Sequence, residues 1–202
     1  MWALINTDDN SIIEVIRYPK AVTINNFLHS KQIFSDLPWS ELNNLGIYEV
    51  LDNGVKGNDL FEVTSNPIYT FNPDDNNVST SYTITEKPLS DSTDSDGVIT
   101  YGLKHHAKEQ AKEIAHNLIR RFNWLVERSI YDSSKTIPSA VGTYVGKIKA
   151  DCATIEAAID GASNMAAFKA LYQDTIDSDG NVTEVARVNR WTDNYDVKTY
   201  IR

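Results

Sequence analysis

The sequence has very little cysteine and no long hydrophobic run. Cys152 is the only cysteine among 202 residues, which excludes an internal disulfide framework and fits a reducing compartment. No run of 18 apolar residues is present, so we expect no membrane-spanning helix. The first ten residues lack a basic segment followed by an apolar one, so we expect no secretory signal there.

Sequence motifs of catalysis and cofactor binding are also missing. The chain has no glycine-rich phosphate or dinucleotide loop and no nucleophile elbow. His105, His106 and His116 are not spaced three or four residues apart, as a metal pair on one helix face requires. The acidic loops at 92–97 and 177–181 lack the full set of calcium ligands; turn chemistry explains them, and a loosely held surface calcium in either loop is the alternative. We therefore expect no enzyme, no cofactor and no metal site.

Basic residues are scarce, and they are scarcest in the first half of the chain. The 28 acidic and 19 basic residues give a net charge of −9. Residues 1–99 hold 15 acidic and five basic side chains, whereas residues 100–202 hold 13 and 14. The excess of acid argues against nucleic acid as the main partner, because phosphate binding needs a basic face. The uneven distribution predicts two modules with different surfaces.

Long helical periodicity occurs only in residues 100–172. The second half of this stretch has apolar residues four and three positions apart in turn, the spacing of a heptad seam that contacts a partner helix: Val141, Val145, Ile148, Cys152, Ile155 and Ile159. A matching face precedes it: Ala107, Ala111, Ile114, Leu118, Phe122 and Leu125. The short connection predicts an antiparallel helical hairpin, with the first helix running to about Arg128 and with Asn123-Trp124 as a bend or the end of its straight segment. We expect Cys152 to be a small buried residue rather than a nucleophile.

The remaining segments read mainly as short strands, turns and one further short helix. Residues 2–5 and 12–17 predict a hairpin, and residues 68–71 and 80–85 predict a second one. Ser163 or Asn164 is suited to cap a short third helix at 165–172. The predicted fold is therefore α+β. It comprises an N-terminal β-rich module (1–51), a β-ribbon with a polar linker (52–99), a helical module (100–173) and a C-terminal docking tail (174–202).

The C-terminal tail contains too many apolar and aromatic residues for a segment that packs against nothing. We predict a rough strand at residues 182–191, followed by an aromatic segment that contains Trp191, Tyr195 and Tyr200. Such side chains dock on the chain's own body or on a partner. Together with the helix seam, they are the predicted interaction residues.

Several long phrases of the sequence resemble small tail proteins of bacteriophages. The phrases are WALIN (2–6), IIEVIRYPKAVTIN (12–25), WSELNNLGIYEV (39–50), YGLK (101–104), AKEQAKEIAHNLIRRFNWLVER (107–128), TIPSAVGTYVGKIK (136–149) and IEAAIDGASNMAAFKAL (155–171). They resemble the marine-phage-like proteins labelled tail assembly chaperones or tail-fibre-associated proteins. Similar sequences often have a Pro-Thr-Asp-Trp turn where this chain has Arg121-Phe122-Asn123-Trp124, which favours a longer first helix here. The resemblance implies no catalytic residues.

What the resemblance implies is a phage protein that works by binding other phage proteins. The first class of function is a virion structural protein of the tail or tail-fibre base, present as a homo-oligomer or in several copies, made in the host cytoplasm and located in the virion. The second is an assembly chaperone that is absent from the mature particle. The third is a receptor-binding module that uses Trp2, Trp39, Trp124 and Trp191. No nucleic acid or membrane partner is expected.

Overall fold

The chain folds into two compact units that contain both helices and strands. The computed structural model describes residues 1–201, apart from the side chain of Tyr195. The units are Met1–Glu86 (unit 1) and Lys87–Arg202 (unit 2). The mixed α+β class that the sequence predicts is confirmed. Among the described residues, no helix combines the length and apolar character needed to cross a membrane.

Unit 1 consists mainly of short strands. In chain order these are β1 (Trp2–Ile5), β2 (Ile12–Ile16), β3 (Val22–Ile24), β4 (Phe27–His29), β5 (Ile47–Leu51), β6 (Glu62–Thr64), β7 (Ile68–Asn72), β8 (Asn77–Ser81) and β9 (Ile84–Glu86), with helices α1 (Ile33–Asp36) and α2 (Trp39–Asn44) between β4 and β5. Strands β2, β1, β5, β8 and β7 form one sheet in that order. Its neighbours are antiparallel except β5 and β8, which are parallel. The sheet thus joins strands from residues 1–51 and 52–99, which we predicted as separate modules.

Both faces of this sheet are covered, because the side chains of β1 alternate between two apolar clusters. Leu4 packs with residues of β2, β3, α2 and β5, namely Ile16, Val22, Ile24, Leu42 and Ile47. Ala3 and Ile5 point to the other face, where they pack with Val50 and Val78. The edge strands β2 and β7 contact each other, so the sheet curls around this second cluster.

Unit 2 is mainly helical. Its helices are α3 (Leu103–Arg120), α4 (Asn123–Tyr131), α5 (Ser139–Gly161) and α6 (Met165–Ala170), preceded by the strand pair β10 (Ser92–Thr93) and β11 (Ile99–Thr100). A second strand pair, β12 (Thr175–Ile176) and β13 (Val182–Glu184), follows α6, and two 3₁₀ helices (Arg187–Asn189 and Tyr195–Tyr200) end the described chain. The Asn164 side chain accepts a hydrogen bond from Ala167 N at 2.9 Å, so Asn164 caps α6.

The break predicted at Asn123-Trp124 is present: the first helix ends at Arg120, and a separate helix begins at Asn123, so one unbroken helix to Arg128 is wrong. The bend turns Phe122 inward, where its ring packs edge-on against Tyr144 at 5.6 Å, so burial of an aromatic side chain outweighs the continuity of the helix. The predicted strand at 182–191 ends at Glu184, because the chain then turns into a 3₁₀ helix at Arg187–Asn189.

Replacing Gly46 or Gly142 by alanine is expected to change the stability of the protein in opposite directions. Gly46 has a φ of +80°, and a Cβ there would lie 2.9 Å from the carbonyl oxygen of Ile5. Gly142 lies in α5, where an added Cβ would meet nothing within 4 Å. We expect Gly46→Ala to lower the free energy of unfolding by about 1–2 kcal/mol and Gly142→Ala to raise it by up to ~1 kcal/mol. Urea unfolding followed by circular dichroism measures both; a Gly46→Ala protein as stable as wild type would contradict this geometry.

Candidate interaction surfaces

The predicted seam on α5 lies inside unit 2. Five of its six residues are buried, namely Val141, Ile148, Cys152, Ile155 and Ile159. Val145 is only half-buried, and Tyr144 is buried in its place. Tyr144 is an aromatic residue that the apolar pattern did not include, although its spacing to Val141 and Ile148 also fits one helix face. The seam side chains therefore pack within the chain itself.

The helix that faces the seam is α3, and it presents small residues. Ala107, Ala111 and Ala115 are buried at intervals of four. Ion pairs flank this contact: Lys108 Nζ lies 2.9 Å from Asp160 Oδ1, and Lys112 Nζ lies 3.6 Å from Glu156 Oε1. They join early residues of α3 to late residues of α5, so the two helices run in opposite directions. Exposed pairs of this kind contribute little stability and mainly fix the register.

The buried thiol of Cys152 is poorly suited to reaction. Its side chain is enclosed in the α3–α5 contact, and burial raises the pKa of the thiol, as does the nearby Glu156 carboxylate. The thiolate is the reactive form, so both effects suppress reactivity.

We therefore expect Cys152 to react with Ellman's reagent at least ~10-fold more slowly in the native protein than in urea. The matched control moves the cysteine one position along α5, in a Cys152→Ala, Ala153→Cys protein, because Ala153 is exposed. That thiol should react at close to its unfolded rate. Equal native rates for the two proteins would show that Cys152 is accessible.

The C-terminal segment docks on the helices of its own unit. The Asp151 carboxylate accepts hydrogen bonds from Thr192 N at 2.7 Å and from Thr192 Oγ1 at 2.6 Å. Trp124 Nε1 donates to the backbone oxygen of Tyr200 at 3.0 Å, and Val197 is fully buried. We call residues 186–201 the C-terminal strap. Among the predicted tail residues, Trp191 and Tyr200 are half-buried, and the Tyr195 side chain lies outside the described residues.

A polar pocket of about 320 Å³ lies between the start of α5 and the strap. Ser139, Thr143 and Lys147 line it from α5, and Asp193 and Asp196 line it from the strap. Tyr144 also lines it, and burial raises the pKa of this phenol. Hydroxyl, ammonium and carboxylate groups line the pocket, so its wall offers both donors and acceptors of hydrogen bonds. The strap supplies one side of it.

An exposed strand pair, β12–β13, connects α6 to the strap. The carboxylate of Asp177 accepts backbone hydrogen bonds from Asp179 and Asn181 at 2.9 Å, and the bond from Asn181 is the main reason that the pKa of Asp177 is lowered. These bonds build the turn at 177–181. Asp174 Oδ1 accepts a hydrogen bond from Ala186 N at 2.6 Å and so closes the base of the loop.

Large apolar side chains are exposed at many positions of both units, and two adjacent pairs among them have side chains that are at least 73% exposed. In unit 1, the tip of the β3–β4 hairpin carries Phe27 and Leu28, whose side chains are 73% and 75% exposed. Asn25 and Asn26 both have positive φ, as a two-residue hairpin turn requires. In unit 2, Ile130 and Tyr131 at the end of α4 are exposed as well. The apolar pattern of the sequence did not show that these apolar side chains would be exposed instead of packed in the core.

Comparison with known proteins does not assign a relative. No family model, no curated protein and no solved structure matches this chain. No residue therefore takes a role from a matched relative, and the resemblance to phage tail proteins remains a hypothesis. The surfaces described above are the basis for a proposed function.

Proposed function

We propose that this chain is a bacteriophage virion structural protein of the tail or tail-fibre base that acts through protein–protein contacts. The resemblance of residues 2–51 and 100–173 to small phage tail proteins suggests the setting. The observation that carries the contact role is the apolar tip of the β3–β4 hairpin. Exposed adjacent apolar residues commonly mark protein-binding sites.

The hairpin is built to present that tip rigidly. Val22 and Ile24 of β3 are buried in the first core cluster together with Ile47, so β3 is fixed on the core up to the turn. The register pairs Ile24 with Phe27 and Thr23 with Leu28. The exposed side chains of Phe27 and Leu28 therefore lie on β4 beside an anchored strand, on opposite faces of the hairpin. An anchored apolar tip loses little conformational freedom when it binds a partner.

We also propose that α3 and α5 act as an antiparallel helical hairpin, with α6 as the short third helix, and hold the attachment surfaces of unit 2. The contacts of Lys108 with Asp160 and of Phe122 with Tyr144 support this arrangement. In this role the α5 seam stabilises the helices from inside the protein. The exposed end of α4 is one of the surfaces that contact other phage proteins.

The test is incorporation of hairpin variants into particles of the phage that encodes the chain. We expect a Phe27→Ser, Leu28→Ser protein to fold but to be depleted from purified particles. Val55→Ser is the matched control, because Val55 is also in unit 1 and is 78% exposed but has no exposed apolar neighbour in sequence. Equal incorporation of both variants would show that the hairpin tip is not a contact. A wild-type chain that is found in lysates but not in particles would instead favour the assembly chaperone.

A further inference from the structure

The polar pocket beside the strap has two walls of opposite charge. The α5 wall presents three hydroxyl groups and an ammonium group, which belong to Ser139, Thr143, Tyr144 and Lys147. The strap wall presents the carboxylates of Asp193 and Asp196. Among the described residues, no acid lines the first wall and no base lines the second. A molecule in the pocket therefore meets a positive, donating side and a negative, accepting side.

The charged groups that face this pocket do not pair with one another. Lys147 and Asp196 line the same cavity of about 320 Å³, yet neither forms an ion pair or a side-chain hydrogen bond with any residue that the structure describes. The side chains of Ser139 and Thr143 make no such bond within the described chain either. An ammonium and a carboxylate that share a cavity without meeting leave room for a ligand that pairs with both.

Tyr144 gives independent evidence that the pocket takes a ligand. It lines the pocket although it is only 6% exposed, and its ring packs on Phe122. Its phenol nevertheless makes no hydrogen bond to any other described residue. Burial raises the pKa of this phenol, so the group is protonated at neutral pH and has a proton to donate. A buried polar group without a partner is costly, and a ligand in the pocket supplies the partner.

We infer that the pocket binds a small zwitterion of the α-amino acid class. The ligand carboxylate faces α5, where Lys147 pairs with it and the hydroxyl groups donate to it. The N-terminus of α5 adds to the attraction, because no side chain caps it and the helix dipole favours negative charge there. The ligand ammonium faces Asp193 and Asp196. The hydrogen bonds from Thr192 to Asp151 hold the strap wall in place before the ligand binds.

The separation of charge between the two walls favours a zwitterion over other polar ligands. A sugar presents hydroxyl groups that donate and accept on every side, so it does not require one positive and one negative wall. A simple anion leaves the strap carboxylates unpaired, and a simple cation leaves Lys147 unpaired. The cavity volume of about 320 Å³ is at the small end for ligand pockets, which suits an amino acid. The inference does not depend on the virion role proposed above.

Saturation-transfer NMR of the full-length chain tests binding with glycine, L-alanine, L-serine and L-glutamine, each alone. At least one of them should bind. Its N-acetyl form, which lacks the ammonium, and its amide form, which lacks the carboxylate, should each bind at least ~10-fold more weakly, because each loses one charge-assisted contact. Glucose is the neutral polar comparison. No binding of any of the four amino acids, or equal binding of the analogues or of glucose, would overturn the inference.

Three variants, with folding checked by circular dichroism, locate the ligand in this pocket. Lys147→Gln and Asp196→Asn should each weaken binding at least ~10-fold. Tyr144→Phe removes the phenol oxygen but keeps the ring on Phe122, and it should weaken binding about 3-fold. Lys149→Gln is the matched control, because Lys149 is exposed on the same helix but does not line the pocket; it should leave binding within ~2-fold. Equal effects of Lys147→Gln and Lys149→Gln would reveal general charge attraction and overturn the pocket as the site.

Discussion

Ile148→Asp is expected to unfold the helices of unit 2. Ile148 is fully buried on the seam face of α5, one turn from the buried Tyr144 on one side and from the buried Cys152 on the other. Loss of the apolar contact and burial of an unpaired charge should together lower the free energy of unfolding by ~4 kcal/mol or more. That is a large share of the stability of an ordinary domain, about 5–15 kcal/mol.

Hydrogen exchange of the peptides that cover α3 and α5, together with thermal melting, measures this effect. The matched control is Ala150→Asp, which places the same residue on the exposed side of the same helix. Its cost should stay below about 1 kcal/mol, the range of helix propensities. An Ile148→Asp protein that keeps wild-type protection in α5 would contradict the packing of α3 against α5.

Ile47→Ala is expected to have the largest effect in unit 1. Ile47 is fully buried at the start of β5, in the cluster that also contains Leu4 and Leu42. Truncation leaves a cavity that strands paired on both sides cannot easily close, because β5 lies between β1 and β8. We expect a loss of about 2–5 kcal/mol in the free energy of unfolding.

Glu49→Ala is the control for this substitution, since Glu49 lies two residues further along β5 and is exposed. It should change stability by no more than ~0.5 kcal/mol. Urea unfolding followed by hydrogen exchange of the peptides that cover β1 and β5 reports on this unit. Similar midpoints for the two variants would show that the first core cluster does not support the sheet.

The sequence was most informative where one local pattern decides the structure. The apolar spacing along α5 predicted a long helix, and five of its six seam residues are buried. Asn164 was one of two residues predicted to cap the short helix, and its side chain does so. The turn residues between β1 and β2 likewise predicted a hairpin, which the structure contains. In each case, the residues that determine the element are neighbours in the chain.

The features that the sequence did not predict depend on contacts between distant residues. The parallel pairing of β5 with β8 joins segments that local patterns present as separate. A bend at Asn123-Trp124 was predicted, but the packing of Phe122 on Tyr144 in another helix was not. Thr192 and Asp151 are 41 positions apart, and their hydrogen bonds hold the strap. Nothing in the spacing of polar residues indicates such a pair, so the docking of the tail was predicted but its anchor was not.

Quantitative mass spectrometry of purified, salt-washed phage particles tests the proposed function most directly. A structural protein of the tail or fibre base should be present in a fixed ratio to a major tail protein, and the ratio would give its copy number. Moderate salt should not remove it, because apolar contacts such as those proposed for Phe27 and Leu28 are not screened by ions. Peptides of this chain in the infected lysate but not in the particles would contradict the structural role and favour an assembly chaperone.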